Sequence, residues 1–190
     1  MLNRDAAWKL LCEYTSSESL RTHALGVEAA MRAMAKKYEG EPDLWGITGL
    51  LHDFDYERYP TAEEHPFKGV AILKEQGYPK EMLDAIMGHA DYTGVARETL
   101  LAKSLFAVDE LVGFVFAVTY VRPSRAVRDV VPKSIRKKLK QKSFAASVNR
   151  EDIINGMLDL ELDENEHFQF VIDALSEVAE SLGLGGVAQE

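Results

Sequence analysis

The stretch Ile47-Thr48-Gly49-Leu50-Leu51-His52-Asp53-Phe54-Asp55-Tyr56-Glu57-Arg58 changes character part-way along its length. An apolar run from Ile47 to Leu51 gives way to a polar segment from Asp55 to Arg58, and the pair His52-Asp53 sits at the changeover. Pro42 and Asp43 open a helix that passes through Trp45, Ile47, Leu50 and Leu51 and runs into that pair. Neighbouring residues of a straight α-helix point about 100° apart, so both can reach one ion only near a helix end. An aspartate placed at such an end can bridge two ions with its two oxygens.

Outward from this stretch the reading is helical throughout. Thr15-x-x-Glu18 has the form of a capping box and predicts a helix to about Tyr38, with His23, Val27, Ala30 and Met34 on its apolar face. A helix from about Glu64 is expected to end at Gly77, and Pro79 begins another that ends near His89. The segment from about Glu98 to Arg122 carries Leu101, Leu105, Val108 and Val112 on one face and is stopped by Pro123. A further helix is expected after Pro132, Asn149 and Asp163 have the form of N-caps for the last two, and the tail from Gly183 is expected to fray. No alternating run long enough for a sheet occurs, so the fold class is an all-α helical bundle with additional C-terminal helices. The expected organisation is a single domain over 1–190, with a core at about 16–122, a basic segment and C-terminal helices at 123–182, and a flexible tail at 183–190.

The chain has 190 residues, enough for a substantial core, and its 46% hydrophobic and 28% charged content is that of a globular protein. Its longest apolar stretch, Leu111 to Val118, is too short to span a bilayer, and no signal peptide is recognisable. Cys12 is the only cysteine, which excludes an intramolecular disulfide and fits a cytoplasmic location. The net charge of −9 is unevenly spread: from Arg122 to Arg150 there are ten Lys/Arg against the single acid Asp129, so that segment is +9 on a body of −18. A basic segment of this kind is either a solvated helix or a surface that steers an anionic ligand.

Five histidines are present, at 23, 52, 65, 89 and 167. Imidazole and carboxylate together suit divalent transition metals and leave coordination positions open to water and substrate. His167, alone on the C-terminal helix, reads as a hydrogen-bonded core residue. A lone His-Asp pair carries little weight, but the ordered set of His, His-Asp, two further His and Asp carries more. His23 in RTHALGVE, His52-Asp53 in LLHDFDYE, His65 in EEHPFKG, His89 in MGHAD and Asp109 in AVDELVG resemble the HD superfamily of metal phosphohydrolases over about Ser16 to Phe114. The segment VRPSRAVRDVVPKSIRKKLKQKSFAASVNRED, 121–152, resembles a subgroup of small bacterial predicted hydrolases with the same domain.

The resemblance implies that His23, His52, Asp53 and Asp109 hold a first metal, and that His65 and His89 hold a second with Asp53 bridging. The expected cofactors are therefore divalent metal ions, two in number, drawn from Mn, Mg, Fe, Ni, Co or Zn. Metal-bound water loses a proton near neutral pH and becomes a nucleophile, which fits hydrolysis of a phosphate ester such as a nucleotide or related small metabolite. Asp53 is the central catalytic carboxylate, and Asp55, Glu57 and Asp91 are further acids close to the ligands, suited to general-base work or to orienting an imidazole. Arg122, Ser124, Arg125 and Lys138, with Lys133 and Arg136 nearby, are the candidates for binding a phosphorylated or anionic substrate. Arg122 follows Asp109 by thirteen residues, which is about 20 Å along a helix, so direct reach requires the chain after Pro123 to fold back.

Tyr56 stands where HDIG-type members commonly carry lysine, and the HD-GYP signature of cyclic dinucleotide phosphodiesterases is absent, which argues against such a substrate. Two other functions fit the same ligand order: a mixed-valence di-iron oxygenase acting on a small polar or phosphonate substrate, and a non-catalytic nucleotide-sensing module. Nucleic acid is not an expected partner, because Phe144 is the only aromatic in the basic segment. No membrane partner is expected, and a homodimer is compatible with the sequence.

Overall fold

A computed structural model describes residues 2–187. Among the described residues there are nine α-helices, two short 3-10 helices and no strand, with one isolated antiparallel bridge between Ala126 and Gly185. The fold is all-α. The chain divides into two compact units, residues 1–106 and 107–190.

The first unit contains α1 (Arg4–Tyr14), α2 (Glu18–Lys37), α3 (Pro42–Leu51), α4 (Phe67–Glu75), α5 (Lys80–Gly88), a 3-10 helix at Asp91–Thr93 and the beginning of α6 (Leu100–Tyr120). Helix α3 is central: Glu41 caps it by accepting from the Asp43 and Leu44 amides, Pro42 opens it, and every residue from 45 to 51 is buried. Burying each of Ile47, Leu50 and Leu51 contributes about 1.5–3 kcal/mol. Two glycines make the packing of α3 on α2 close. A Cβ at Gly49 would lie 2.9 Å from the Val27 carbonyl oxygen, and one at Gly46 would meet the Arg32 side chain. Buried Glu28 holds the helices in register, accepting both Arg4 Nε and Nη2 from α1 at 2.8 Å, while Arg32 of α2 bonds Glu28 at 3.1 Å and Asp43 of α3 at 3.0 Å.

Three local features differ from the sequence reading. Helix α1 was not anticipated, although Ala7, Leu10 and Leu11 occupy one face and Asn3 caps its first turn. The N-cap of α2 is Ser17, whose side chain accepts from the Leu20 amide, and Thr15 instead turns inward and donates to the Phe54 carbonyl at 2.9 Å. Thr15-x-x-Glu18 is therefore not a capping box: Glu18 is the first helical residue rather than the third. Helix α4 starts at Phe67 instead of about Glu64, after turns that include a cis His65–Pro66 bond. Gly77 closes α4 with φ +80°, as expected for a C′ glycine, and Pro79 is the N-cap of α5.

The second unit holds the rest of α6, a 3-10 helix at Val127–Asp129, α7 (Pro132–Leu139), α8 (Arg150–Asp159) and α9 (Glu164–Glu177). Asn149 and Asp163 are N-caps, accepting from Glu151, and from Asn165 and Glu166, respectively. Buried His167 bonds the Ala107 carbonyl oxygen through Nε2 at 2.9 Å, which is a core role. The tail is tied down as far as it is described: Leu184 is buried, its carbonyl accepts from Val127 at 3.0 Å, and the Val187 amide donates to Ser124 O at 3.0 Å. Residues 188–190 of the expected flexible tail lie outside the described residues.

Gly49→Ala tests the α2–α3 contact. Alanine gains about 1 kcal/mol of helix propensity over glycine, but overpacking against a backbone atom costs about 1–3 kcal/mol. Urea denaturation is expected to show net destabilisation; a stabilised variant would mean the helices separate freely at this point.

Candidate metal centre

The end of α3 sets the first part of the site. His52 is its C-cap, and the chain then tightens into successive i to i+3 turns, with Phe54 N bonding Leu51 O and Tyr56 N bonding Asp53 O. In this tight turn the side chains alternate in purpose. Phe54 is buried, packing edge-on against Tyr14 at 5.1 Å, so Asp53 and Asp55 on either side are held in place by a core residue.

Three imidazoles surround Asp53. Its Oδ1 lies 3.2 Å from His65 Nε2 and 3.1 Å from His89 Nε2, and its Oδ2 lies 3.6 Å from His52 Nε2. His65 comes from the turn before α4 and His89 is the C-cap of α5, so two helix ends deliver them, and their Nε2 atoms are 3.4 Å apart. The ring of His23, from the second turn of α2, is 5.4 Å from that of His52. Asp53, His65 and His89 each offer a ligand atom within 4.8 Å of the others.

The opposite nitrogens are held in a common way. Nδ1 of His52 bonds the Gly49 carbonyl oxygen at 2.7 Å, Nδ1 of His89 that of Ile86 at 2.5 Å, and Nδ1 of His65 the Asp55 carboxylate at 2.8 Å. An imidazole whose Nδ1–H is committed to an oxygen turns Nε2, the atom that would carry the lone pair in the neutral ring, toward the centre. Outer hydrogen bonds of this type orient metal-binding histidines. The donor set of imidazole nitrogen and carboxylate oxygen fits a divalent transition metal.

Electrostatics reinforce the cluster. Burial by itself would raise the Asp53 carboxyl, but His52, His65 and His89 outweigh it and hold the group well below the usual carboxylate range. Burial likewise opposes charge on His65, yet Asp53 and Asp55 raise its imidazole to about 9. In the metal-free protein this pairing stabilises the fold fully below the ordinary histidine value of about 6.5. The contribution is lost as pH rises through about 9.

The family model of the HD domain matches residues 20–112. That stretch is similar to the HD domain, consistent with the HD superfamily. All six residues His23, His52, Asp53, His65, His89 and Asp109 fall within the matched range. No curated protein and no solved structure matches the chain significantly.

Within the matched range the three neighbouring acids have different employments. Asp55 is buried and works on His65: one oxygen takes His65 Nδ1, and the other accepts from the Gly69 amide at 2.7 Å. A Cβ at Gly69 would lie 2.6 Å from the Asp55 carboxyl carbon, so only glycine lets α4 supply that amide. Glu57 faces elsewhere, accepting from the Ser16 and Ser17 amides at 2.8 and 2.9 Å and from the Ser16 hydroxyl. These contacts hold its carboxyl below the ordinary value, the Ser16 hydroxyl contributing most. Asp91 is exposed and paired with Arg97 at 2.6 Å, while Arg97 also bonds Gly88 O and stacks on Phe106. Glu57 and Asp91 thus fasten the frame, and Asp55 orients a ligand candidate.

Gly69 and Tyr92, whose hydroxyl donates to the His65 carbonyl at 2.8 Å, were not recognised as contributors from sequence. A glycine inside a helix was the available hint for Gly69; nothing local marks Tyr92.

Asp109 and the candidate substrate residues belong to the second unit. Asp109 is part-buried on α6, one helical turn beyond Leu105. Arg122 and Lys138 line a common cleft. Ser124 and Arg125 are not among its lining residues: Ser124 Oγ is 3.4 Å from the Ala126 amide, and Arg125 is exposed with φ +48°. Arg136 is committed to Glu164 at 2.5 Å, and Lys133 is exposed.

A metal on His65 Nε2 must displace the proton that Asp53 and Asp55 stabilise there. Metal affinity measured against a competing chelator is expected to rise with pH, approaching about tenfold per unit between about pH 7 and 9; a flat profile would remove His65 from the ligand set. Asp55→Asn is expected to weaken metal binding by about 10–100-fold with helicity retained, because the imidazole loses its anionic partner. An unchanged dissociation constant would deny Asp55 this role.

Proposed function

We propose that the chain is a metal-dependent hydrolase that cleaves phosphate esters of small molecules, with a binuclear centre built on Asp53. The observation that carries this reading is the division of the Asp53 carboxylate, whose Oδ1 faces His65 and His89 while Oδ2 faces His52. A carboxylate so divided suits a bridge between two ions. In this reading His23, His52, Asp53 and Asp109 would hold the first ion, and Asp53, His65 and His89 would hold the second. Asp109 enters from its family position, as the aspartate of AVDELVG that the resemblance to HD phosphohydrolases assigns to the first ion.

When bound, divalent ions activate water for attack and neutralise charge developing on a phosphoryl group. The chain's own residues then have supporting tasks. Asp53 would supply negative charge to both ions. Asp55 fixes the ring of His65, and the Gly49 and Ile86 carbonyls fix those of His52 and His89. Glu57 ties the start of α2 to the turn after α3, which keeps the helix of His23 beside His52. The proposed substrate is a small phosphorylated or anionic molecule.

Metal analysis of the purified protein, followed by a phosphatase and phosphodiesterase substrate panel, tests the proposal. Two equivalents of a divalent ion with phosphate release are expected. Asp53→Ala should lose metal and activity while circular dichroism shows helicity retained, and His65→Ala should retain one ion. Iron accompanied by oxygen consumption and no phosphate release would replace hydrolysis with oxidation. Full activity of metal-stripped Asp53→Ala protein would sink the metal mechanism itself.

A further inference from the structure

The second unit contains a cleft of about 390 Å³ where the chain leaves α6 and meets α7. Three cations line it, Arg122, Lys137 and Lys138, and no carboxylate does. Two other cations of the basic segment are committed elsewhere: Arg136 pairs with Glu164, and Arg150 donates to the carbonyls of Leu139, Gln141 and Val148 at 3.1–3.2 Å. Arg122, Lys137 and Lys138 form no ion pair among the described residues.

Arg122 is the central observation. Its Nε is buried and has no hydrogen-bond partner among the described residues, and its Nη1 reaches only Ser134 Oγ at 3.4 Å. A buried guanidinium N–H left unmet costs about 1–3 kcal/mol or more, and an oxyanion satisfies it with a charge-assisted bond. Helix α7 presents polar groups to the same cleft at helical spacing, with Ser134, Lys137, Lys138 and, past its end, Gln141 separated by three, one and three residues. Lys138 is steadied there, its Nζ 3.3 Å from Gln141 Oε1 and 4.5 Å from the Phe144 ring centre. The remaining wall is apolar, formed by Val118, Val121 and Pro123.

We infer that this cleft is an anion-binding site for a phosphate or phosphonate group carried on an apolar body. The cations and Ser134 take the oxyanion, and the valine and proline side chains take the body. The site is defined by residues of the second unit alone, so it stands whether or not the metal centre is a hydrolase.

The test uses the full-length protein stripped of metal with EDTA, which removes any anion binding that depends on bound ions. Phenylphosphonate, which cannot be hydrolysed as an ester, and inorganic phosphate are titrated separately and followed by amide chemical shifts. Saturable binding is expected, with the largest shifts at Arg122, Ser134 and Lys138 and with phenylphosphonate the tighter ligand. Arg122→Gln and Lys138→Gln, each checked for helicity, should weaken phenylphosphonate binding by about tenfold or more, the loss of one charge-assisted bond. Because Lys138 is only part-buried, its variant keeps the test open if Arg122→Gln fails to fold. Unchanged affinity in folded variants, or shifts centred elsewhere, would overturn the site. Phenylphosphonate binding no tighter than inorganic phosphate would overturn the assignment of an apolar body.

Discussion

The close approach of the Asp53 carboxylate to three imidazoles governs the first unit. Asp53 is part-buried, and a carboxylate partly withdrawn from water is costly unless positive charge compensates it. In the metal-free state the compensation is protonic, with His65 raised to about 9 and Asp53 held well below its ordinary value. The cluster therefore favours either protons or a cation at its centre, and the two compete. Such a cluster has a stable protonated form to fall back on. This explains how candidate ligands can be pre-positioned without the mutual repulsion that a set made only of carboxylates would suffer.

Pre-positioning is achieved at helix ends rather than along helix faces. His52 and His89 are both C-caps, and each has its Nδ1 on the carbonyl oxygen three residues earlier, Gly49 and Ile86. The last carbonyls of a helix lack intrahelical partners, so an imidazole N–H there satisfies a backbone group and fixes its own ring in one step. His65 has no such carbonyl, coming from a turn, and takes a buried aspartate in its place. That substitution helps raise the His65 imidazole to about 9, and ties the second half of the cluster to Asp55 and hence to α4 through Gly69.

Much of this was legible in the sequence, and the part that was not has a common cause. Gly77, Asn149 and Asp163 act as the caps their local chemistry suggests, because a cap depends on residues within one turn. The order of histidines and aspartates was legible because it is a pattern of residue types. Thr15 misled, since its hydroxyl goes to Phe54 O, 39 residues away, and the capping role passes to Ser17. The same holds for the acids after His52. Asp55, Glu57 and Asp91 are alike in type and in closeness to ligand candidates, yet their partners lie up to 41 residues distant and are set by packing.

The alternation in His52-Asp53-Phe54-Asp55 shows how a few residues serve two demands. Phe54 has to be buried, and Thr15 and Tyr14 meet it in the core. With that residue fixed, the tight turn sends its two neighbours away from the apolar contact, and both are aspartates on the imidazole side. A larger residue at Gly69 would push Asp55 off His65, since a Cβ there would sit 2.6 Å from the carboxyl carbon. The orientation of the His65 ring thus depends on a side chain that is missing, four residues along in the first turn of α4, as much as on the acid that bonds it. Candidate ligands can be read from residue types, but the precision of the centre comes from these packed supports.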